Sequence, residues 1–259
     1  MLKNKLQRIV TSYRRPKYLE PCLESMKAGG DVELYVVDGD QGGGGVIDAI
    51  KRYADDYRLI EGNPGADVLK NVGIRDFVTQ PIFCITSDDF LYPAGWAELA
   101  VSNFMIANGA TTTEAQVPAL RRLRFAMLAS PTEQVIARHT QPEGVGDGVG
   151  VHYQRINGIE LMPTGISMVA GTIMHTEAVR EVGGFPVYGK TGQGDIAISR
   201  AFRGRGFQVG YLRHPVIQHL GRFKGTDYPE YTADWNADDA VYQQLAREHN
   251  PRDQRNWLR

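Results

Sequence analysis

The chain has 259 residues, 42% of them hydrophobic and 23% charged, with a formal net charge of -1. That length supports a sizeable core in one large α/β unit, and the near-neutral balance excludes a global electrostatic pull toward nucleic acid or an anionic membrane, so partners must be argued from local sites. Cys22 and Cys84 both lie in apolar surroundings, the pattern of buried thiols in a reducing compartment rather than of a disulfide framework or a metal cluster.

Along the first hundred residues, strand-like and helix-like segments alternate. Arg8 to Ser12 reads as a strand, and Pro16 to Met26 as a helix with Leu19, Leu23 and Met26 at helical spacing. Glu33 to Val37 follows as a strand ending at Asp38, then the run Gly42 to Gly45, then a helix over Val46 to Tyr53. Arg58 to Ile60 is a short strand, Ala66 to Phe77 a helix, Ile82 to Thr86 a strand and Gly95 to Ile106 a helix. Such alternation predicts βαβ units and a mainly parallel, twisted sheet with flanking helices.

From about Gly109 to Pro163 the periodicity fades, and a glycine cluster spans Gly144 to Gly150. Within this region Ala119 to Leu128 carries Arg121, Arg122 and Arg124, which suits a charged helix face or a basic strip for an acceptor. Regular structure resumes at Ser167 to Met174, with helices over Thr176 to Val182 and Asp195 to Arg205, the turn Gly183-Gly184-Phe185-Pro186, and strands at Phe207 to Leu212 and Val216 to Gln218. A tail helix is expected over Ala237 to Glu248 before a polar end. No stretch approaches the roughly 20 apolar residues that span a bilayer, and no signal-like apolar region opens the chain. A cytoplasmic protein without an integral membrane segment is therefore expected.

The run Ile82-Phe83-Cys84-Ile85-Thr86-Ser87-Asp88-Asp89-Phe90 is apolar until it ends in two adjacent carboxylates. A buried strand would deliver Asp88 and Asp89 to the carboxyl edge of the sheet, where open α/β folds bind ligands, and where a hard cation and a phosphate would meet. On its own an Asp-Asp pair also suits a solvated turn.

The carboxylate pair belongs to a series. Ile9-Val10-Thr11-Ser12-Tyr13-Arg14-Arg15-Pro16, Val36-Val37-Asp38-Gly39, Asn63-Pro64-Gly65 with Lys70-Asn71-Val72-Gly73, and Ser87-Asp88-Asp89 occur in this order. The series resembles the nucleotide-sugar-binding half of GT-A glycosyltransferases, especially the family 2 type. Ala170-Gly171, Val182-Gly183-Gly184-Phe185, Gly192-Gln193-Gly194-Asp195, Gly206-Phe207 and His219 resemble that family's acceptor half. The likeness covers about Arg8 to Leu220.

The resemblance implies one GT-A domain over 1-259, with a nucleotide-sugar half (1-108), an acceptor half (109-220) carrying a smaller acceptor-side sheet, and a C-terminal extension (221-259). Thr11, Tyr13 and Arg14 would hold a nucleotide base or diphosphate, and Asp38 would accept hydrogen bonds from a uracil-like base or ribose. Asp89 matches the family's metal-ligating position, with Asp88 beside the donor, and His219 matches the third-motif ligand. Oxygen ligands around a diphosphate favour Mg²⁺ or Mn²⁺, and an imidazole tilts the choice toward Mn²⁺. Asp195 matches the general base of an inverting displacement, although Asp is also a favoured helix N-cap. Lys70 matches a basic residue near the donor, or else is a solvated helix lysine. Trp96 would stack on a sugar or sit in the core, with Gly184 and Phe185 on the acceptor side.

The chain departs from the family twice. Ser87 stands where the first aspartate is usual, and Gly194 where a glutamate is usual. The implied activity is transfer of a sugar from a nucleoside-diphosphate sugar to a hydroxyl of a saccharide, a lipid-linked glycan or a hydroxymethylated base in DNA. For DNA, Arg121, Arg122, Arg124, Arg138 and the Arg252 to Arg259 tail would supply phosphate contacts. A nucleotidyltransferase would need a glycine-rich, lysine-containing loop after its first strand, which Thr11 to Pro16 lacks. A catalytically silent nucleotide-sugar binding module remains the alternative of another class.

Overall fold

The structure, a computed structural model, describes residues 5-110, 117-133, 153-165, 167, 169-190, 194-220 and 240. Strands β1 (Leu6–Ser12), β2 (Val32–Asp38), β3 (Asp56–Leu59) and β4 (Ile82–Ser87) alternate with helices α1 (Pro16–Ala28), α2 (Ile47–Tyr53) and α3 (Ala66–Phe77). Every residue of β1 is buried, as a strand covered on both faces requires. Helix α1 begins on Pro16, whose fixed φ suits a first helical turn, and buries Leu19, Cys22, Leu23 and Met26 along one stripe. Each such side chain, fully buried, contributes about 1.5–3 kcal/mol.

The later part adds β5 (Phe90–Leu91), α4 (Trp96–Ala107), β6 (Phe125–Ala129), β7 (Gln154–Ile156), β8 (Ile159–Thr164), β9 (Thr172–His175), α5 (Thr176–Glu181), α6 (Gly194–Gly204), β10 (Gln208–Leu212) and β11 (Gln218–His219). Nine strands form one sheet in the order β3-β2-β1-β4-β9-β6-β10-β8-β7, while β5 and β11 pair as a separate ribbon. In the large sheet β8 and β9 run against the other strands, so its direction is mostly parallel. One large apolar cluster runs from Leu6 to Ile217 and joins both halves of this sheet.

Two segments differ from the sequence expectation. Ala119 to Leu128 is not a charged helix: one helical turn over Leu120–Arg122 leaves Arg121 and Arg122 exposed, and β6 then follows with all its residues buried. The reason lies in its position between β9 and β10, where an unbroken apolar run serves as a strand and carries no period of its own. Likewise, part of the stretch without clear periodicity is the β7–β8 hairpin. Its turn is Asn157-Gly158, both with positive φ (51° and 92°), the pair a tight hairpin demands. The Gly144 to Gly150 cluster, Arg138, the expected tail helix over 237–248 and the basic tail lie outside the described residues.

Where helix α3 crosses the sheet, Gly73 lets the two approach: a Cβ there would lie 2.4 Å from Ile9 Cγ2. This close packing holds the first turns of α3 over the ends of β1 and β2. Within the core, Arg8 is fully buried with its guanidinium 4.3 Å from the Trp96 ring and 5.0 Å from the Tyr92 ring, and its three side-chain nitrogens have no hydrogen-bond partner. Burial lowers its pKa, and the two aromatic faces supply the compensation.

Candidate active site

The parallel register sets Thr11 opposite Ser87 and Ser12 opposite Asp38, so three strand ends converge on one edge. There Ser12 Oγ donates to Asp88 Oδ2 at 2.8 Å. Arg15, turned back by Arg14 in the left-handed region (φ 54°), reaches Asp89 Oδ2 at 2.8 Å and Asp88 Oδ1 at 3.5 Å. His219 arrives from the other side because β11 pairs with β5, and its Nε2 lies 3.1 Å from Asp89 Oδ2. Its ring stacks on Phe90 with centroids 4.7 Å apart, and Leu220 N–H donates to the Asp89 carbonyl at 2.8 Å.

Those contacts split the two carboxylates electrostatically. Burial pushes Asp88 up to about 7, against the pull of Arg15. At Asp89 burial acts in the same sense, but His219 and Arg15 outweigh it and hold the carboxyl below its ordinary value. Asp89 Oδ1 is buried with no hydrogen-bond partner, an unmet acceptor facing a site already rich in ligand-type atoms.

Beside this cluster, Asp38 is fully buried at the end of β2. Its Oδ2 accepts the backbone N–H groups of Gly42 at 2.8 Å and Asp40 at 3.1 Å, which closes the turn into the glycine run. Its Oδ1 is buried without a partner, and burial raises its pKa. Thr11 is buried, with Oγ1 3.5 Å from the Thr86 carbonyl. Tyr13 is half-buried, while Arg14 pairs through Nε with Asp40 Oδ1 at 3.1 Å and lies over the Tyr13 ring at 5.1 Å.

A second acidic cluster forms where α3 meets α6. Lys70 Nζ sits 3.0 Å from Asp67 Oδ1 and 3.3 Å from Asp195 Oδ1, and Val169 N–H donates to Asp195 Oδ2 at 3.0 Å. Lys70 is thus buried between two carboxylates and is not on a solvated helix face. Burial opposes its charge, yet the two carboxylates raise its pKa. Burial likewise raises Asp67, against the pull of Lys70. The Gly194 departure has a steric reason: a Cβ at that position would lie 2.0 Å from Asp67 Oδ1 and 2.3 Å from its Cγ. The carboxylate of Asp67 fills the space that a side chain at position 194 would need.

The segment after Ser167 joins the two clusters. Val169 binds Asp195, and Gly171 N–H points at Thr86 Oγ1 at 3.4 Å, two residues before Asp88. Asn71 ties α3 to the glycine turn: its amide donates to the Phe185 carbonyl at 2.8 Å and accepts from the Phe185 N–H at 2.8 Å. Gly184 adopts φ 91° beside it, and Phe185 is fully buried with Lys70 4.9 Å from its ring. Trp96 is fully buried, its Nε1–H donating to Ser130 Oγ at 2.8 Å, so its ring offers no face to solvent here.

Ser12, Arg15 and Asp67 belong to these clusters; Ser12 lies within the Thr11 to Arg14 segment expected at the donor, while Arg15 and Asp67 carry no role in the sequence reading. A polar residue ending β1 beside the end of β4 was the available signal for Ser12. Arg15 lay inside a motif already singled out, and Asp67 and Lys70 stand at a helical i,i+3 spacing.

The metal implied by the resemblance can be tested against these residues. Among the described residues no group of three or more His, Cys, Asp or Glu side chains is arranged to hold a metal ion. Asp89 Oδ1 is an unmet oxygen donor, whereas His219 Nε2 donates to Asp89 Oδ2 and would have to give up that proton to join it on a divalent cation whose remaining ligands came from diphosphate oxygens and water.

No family model matches the chain, and no curated protein matches it. Solved structures do. Staphylococcus aureus TarS 1-349 aligns with a TM-score of 0.54 at 13% identity, covering 83% of this chain and 60% of TarS 1-349. The same protein in complex with UDP-GlcNAc aligns with a TM-score of 0.55 at 12% identity over 85% of this chain and 59% of the other. Its complex with UDP gives 0.55 at 12% over 95% and 71%. The chain spans about 60% of the first of these structures. Through that likeness and its sheet order, the chain has the GT-A fold that its motifs resemble.

Proposed function

We propose that this chain is an inverting glycosyltransferase that moves a sugar from a uridine-diphosphate sugar to a hydroxyl acceptor. The observation that carries this is the pairing of two acidic clusters, Asp88-Asp89 and Asp195, linked through the 169–171 backbone at the carboxyl edge of the sheet. Asp38 Oδ1, buried and unpartnered, suits the N–H of a uracil ring. The UDP and UDP-GlcNAc held by the TarS structures support that choice of nucleotide.

In this reading the acceptor hydroxyl attacks the anomeric carbon while the bond from that carbon to the diphosphate oxygen breaks. Asp195 takes the hydroxyl proton, and UDP departs. Asp89 and His219 would hold Mn²⁺ or Mg²⁺, which supplies charge neutralisation for the leaving diphosphate. Arg15, already against both carboxylates, is placed to turn its guanidinium toward phosphate oxygens.

The test is release of UDP from UDP-GlcNAc with Mn²⁺. Asp195→Asn should lower turnover by about 100-fold or more while UDP affinity stays within a factor of about two. Wild-type turnover in that variant, or no binding of any uridine diphosphate, would end this reading. A DNA acceptor would show as binding that falls steeply with salt, and the exposed Arg121 and Arg122 are the residues to neutralise. Negligible binding at every salt concentration assigns the acceptor to saccharides or lipid-linked glycans.

A further inference from the structure

Asp195 is the only carboxylate of its cluster with appreciable exposure: its side chain keeps 27% of its surface, against 1% for Asp67 and 4% for Lys70. Behind it the charges alternate, carboxylate, ammonium, carboxylate, and the charged groups set against Lys70 are Asp67 and Asp195. Asp67 is wholly buried, and its charge is met by Lys70 and by the backbone N–H of Gly194 at the start of α6. Position 194 is kept free of any side chain by that same carboxylate. A buried carboxylate costs several kcal/mol of desolvation, and a fold that needed only to fill this space would place an apolar group there.

We propose that Asp67 and Lys70 are positioning residues for the proton acceptor Asp195, with Asp67 fixing the Lys70 ammonium and Lys70 fixing the carboxylate rotamer. The proposal rests on Asp195 being the base. Lys70 holds Oδ1 while the Val169 N–H holds Oδ2, so the carboxylate plane is set from both sides. The 27% of the Asp195 side chain that stays exposed is the part open to an incoming hydroxyl. Asp67 acts through Lys70, and no substrate contact is needed from either.

The experiment uses the full chain, UDP-GlcNAc and Mn²⁺, and follows UDP release. Asp195→Asn is the control for the base itself; if it turns over normally, the base reading and this proposal both fail. With that control inactive, the decisive variant is Asp67→Asn/Lys70→Met, which removes both buried charges together and so avoids leaving one uncompensated. It is expected to lower kcat per UDP-binding site about tenfold or more, while KM for UDP-GlcNAc and UDP affinity stay within about twofold. Counting UDP-binding sites corrects for how much of the preparation is folded, so a merely structural role would leave kcat per site unchanged. Such a result overturns the proposal. A second arm moves the carboxylate across the gap: Asp67→Gly/Gly194→Glu should recover part of the rate lost in Asp67→Gly, and recovery of none of it also counts against the proposal.

Discussion

The two acidic clusters of this site keep their positive charge in different places. At Asp88 and Asp89 the cation is Arg15, whose side chain retains 19% of its surface, beside the His219 imidazole, which retains 23%. At Asp67 and Asp195 it is Lys70, which retains 4%. A cation at the rim can be exchanged for another that arrives with a ligand, whereas one enclosed between carboxylates is part of the folded architecture. The first cluster is therefore open to exchanging partners with a ligand, and the second keeps its own.

The largest effect should come from breaking the enclosed pair. Lys70→Met leaves two carboxylates without their ammonium and should cost about 3–5 kcal/mol in urea unfolding, while Asp67→Asn/Lys70→Met should recover more than half of that. A Lys70→Met protein as stable as the parent would erase the distinction. Next, Gly194→Ala forces a methyl into the Asp67 carboxylate and should destabilise by about 1–3 kcal/mol. In an Asp67→Gly background, where the clash is gone, Gly194→Ala should cost far less than in the parent, and the same unfolding curves measure the difference.

At the rim the expected changes are in binding. Arg15→Gln removes the cation that already faces Asp88 and Asp89, so Mn²⁺ should bind the nucleotide-free protein about tenfold more tightly, close to 1.4 kcal/mol. Calorimetric titration measures this, and an unchanged affinity would show that Arg15 does not compete for the site. The smallest effect concerns alkaline pH. The folded pKa of Lys70 lies above its ordinary 10.5, so the native state binds the extra proton and its contribution is complete below pH 10.5 and declines as pH rises beyond it. Relative to Asp67→Asn/Lys70→Met, the parent should lose about 1 kcal/mol between pH 10.5 and 11.5. No such relative loss would place the ammonium in a more open setting.

The strands and helices of the first hundred residues were legible because turn signals bound each segment and the helices carry their own period, and α1 and α3 fall within two residues of expectation. Strand β6 was not, since the arginines around it imitate a charged helix and only its central place in the sheet decides the matter. Asn157-Gly158 did carry a hairpin signal, hidden in a glycine-rich neighbourhood. Of the site, Asp89 and His219 were readable as a pair only through the family likeness, and the structure sets them 3.1 Å apart across 130 positions of sequence. Arg15 and Asp67 were missed for a common reason. Each looks like an ordinary local feature, a basic residue before a helix and an acidic residue in a first turn, and the role of each is fixed by a partner reached only in three dimensions.

Asn71 gives helix α3 a mechanical duty. Bonded both ways to the Phe185 backbone, next to Lys70 and its grip on Asp195, it makes the helix a strut between the strand that begins the sheet and the turn that leads toward α6. Were the chain to close around a sugar in the proposed reaction, it would bend somewhere other than along this strut.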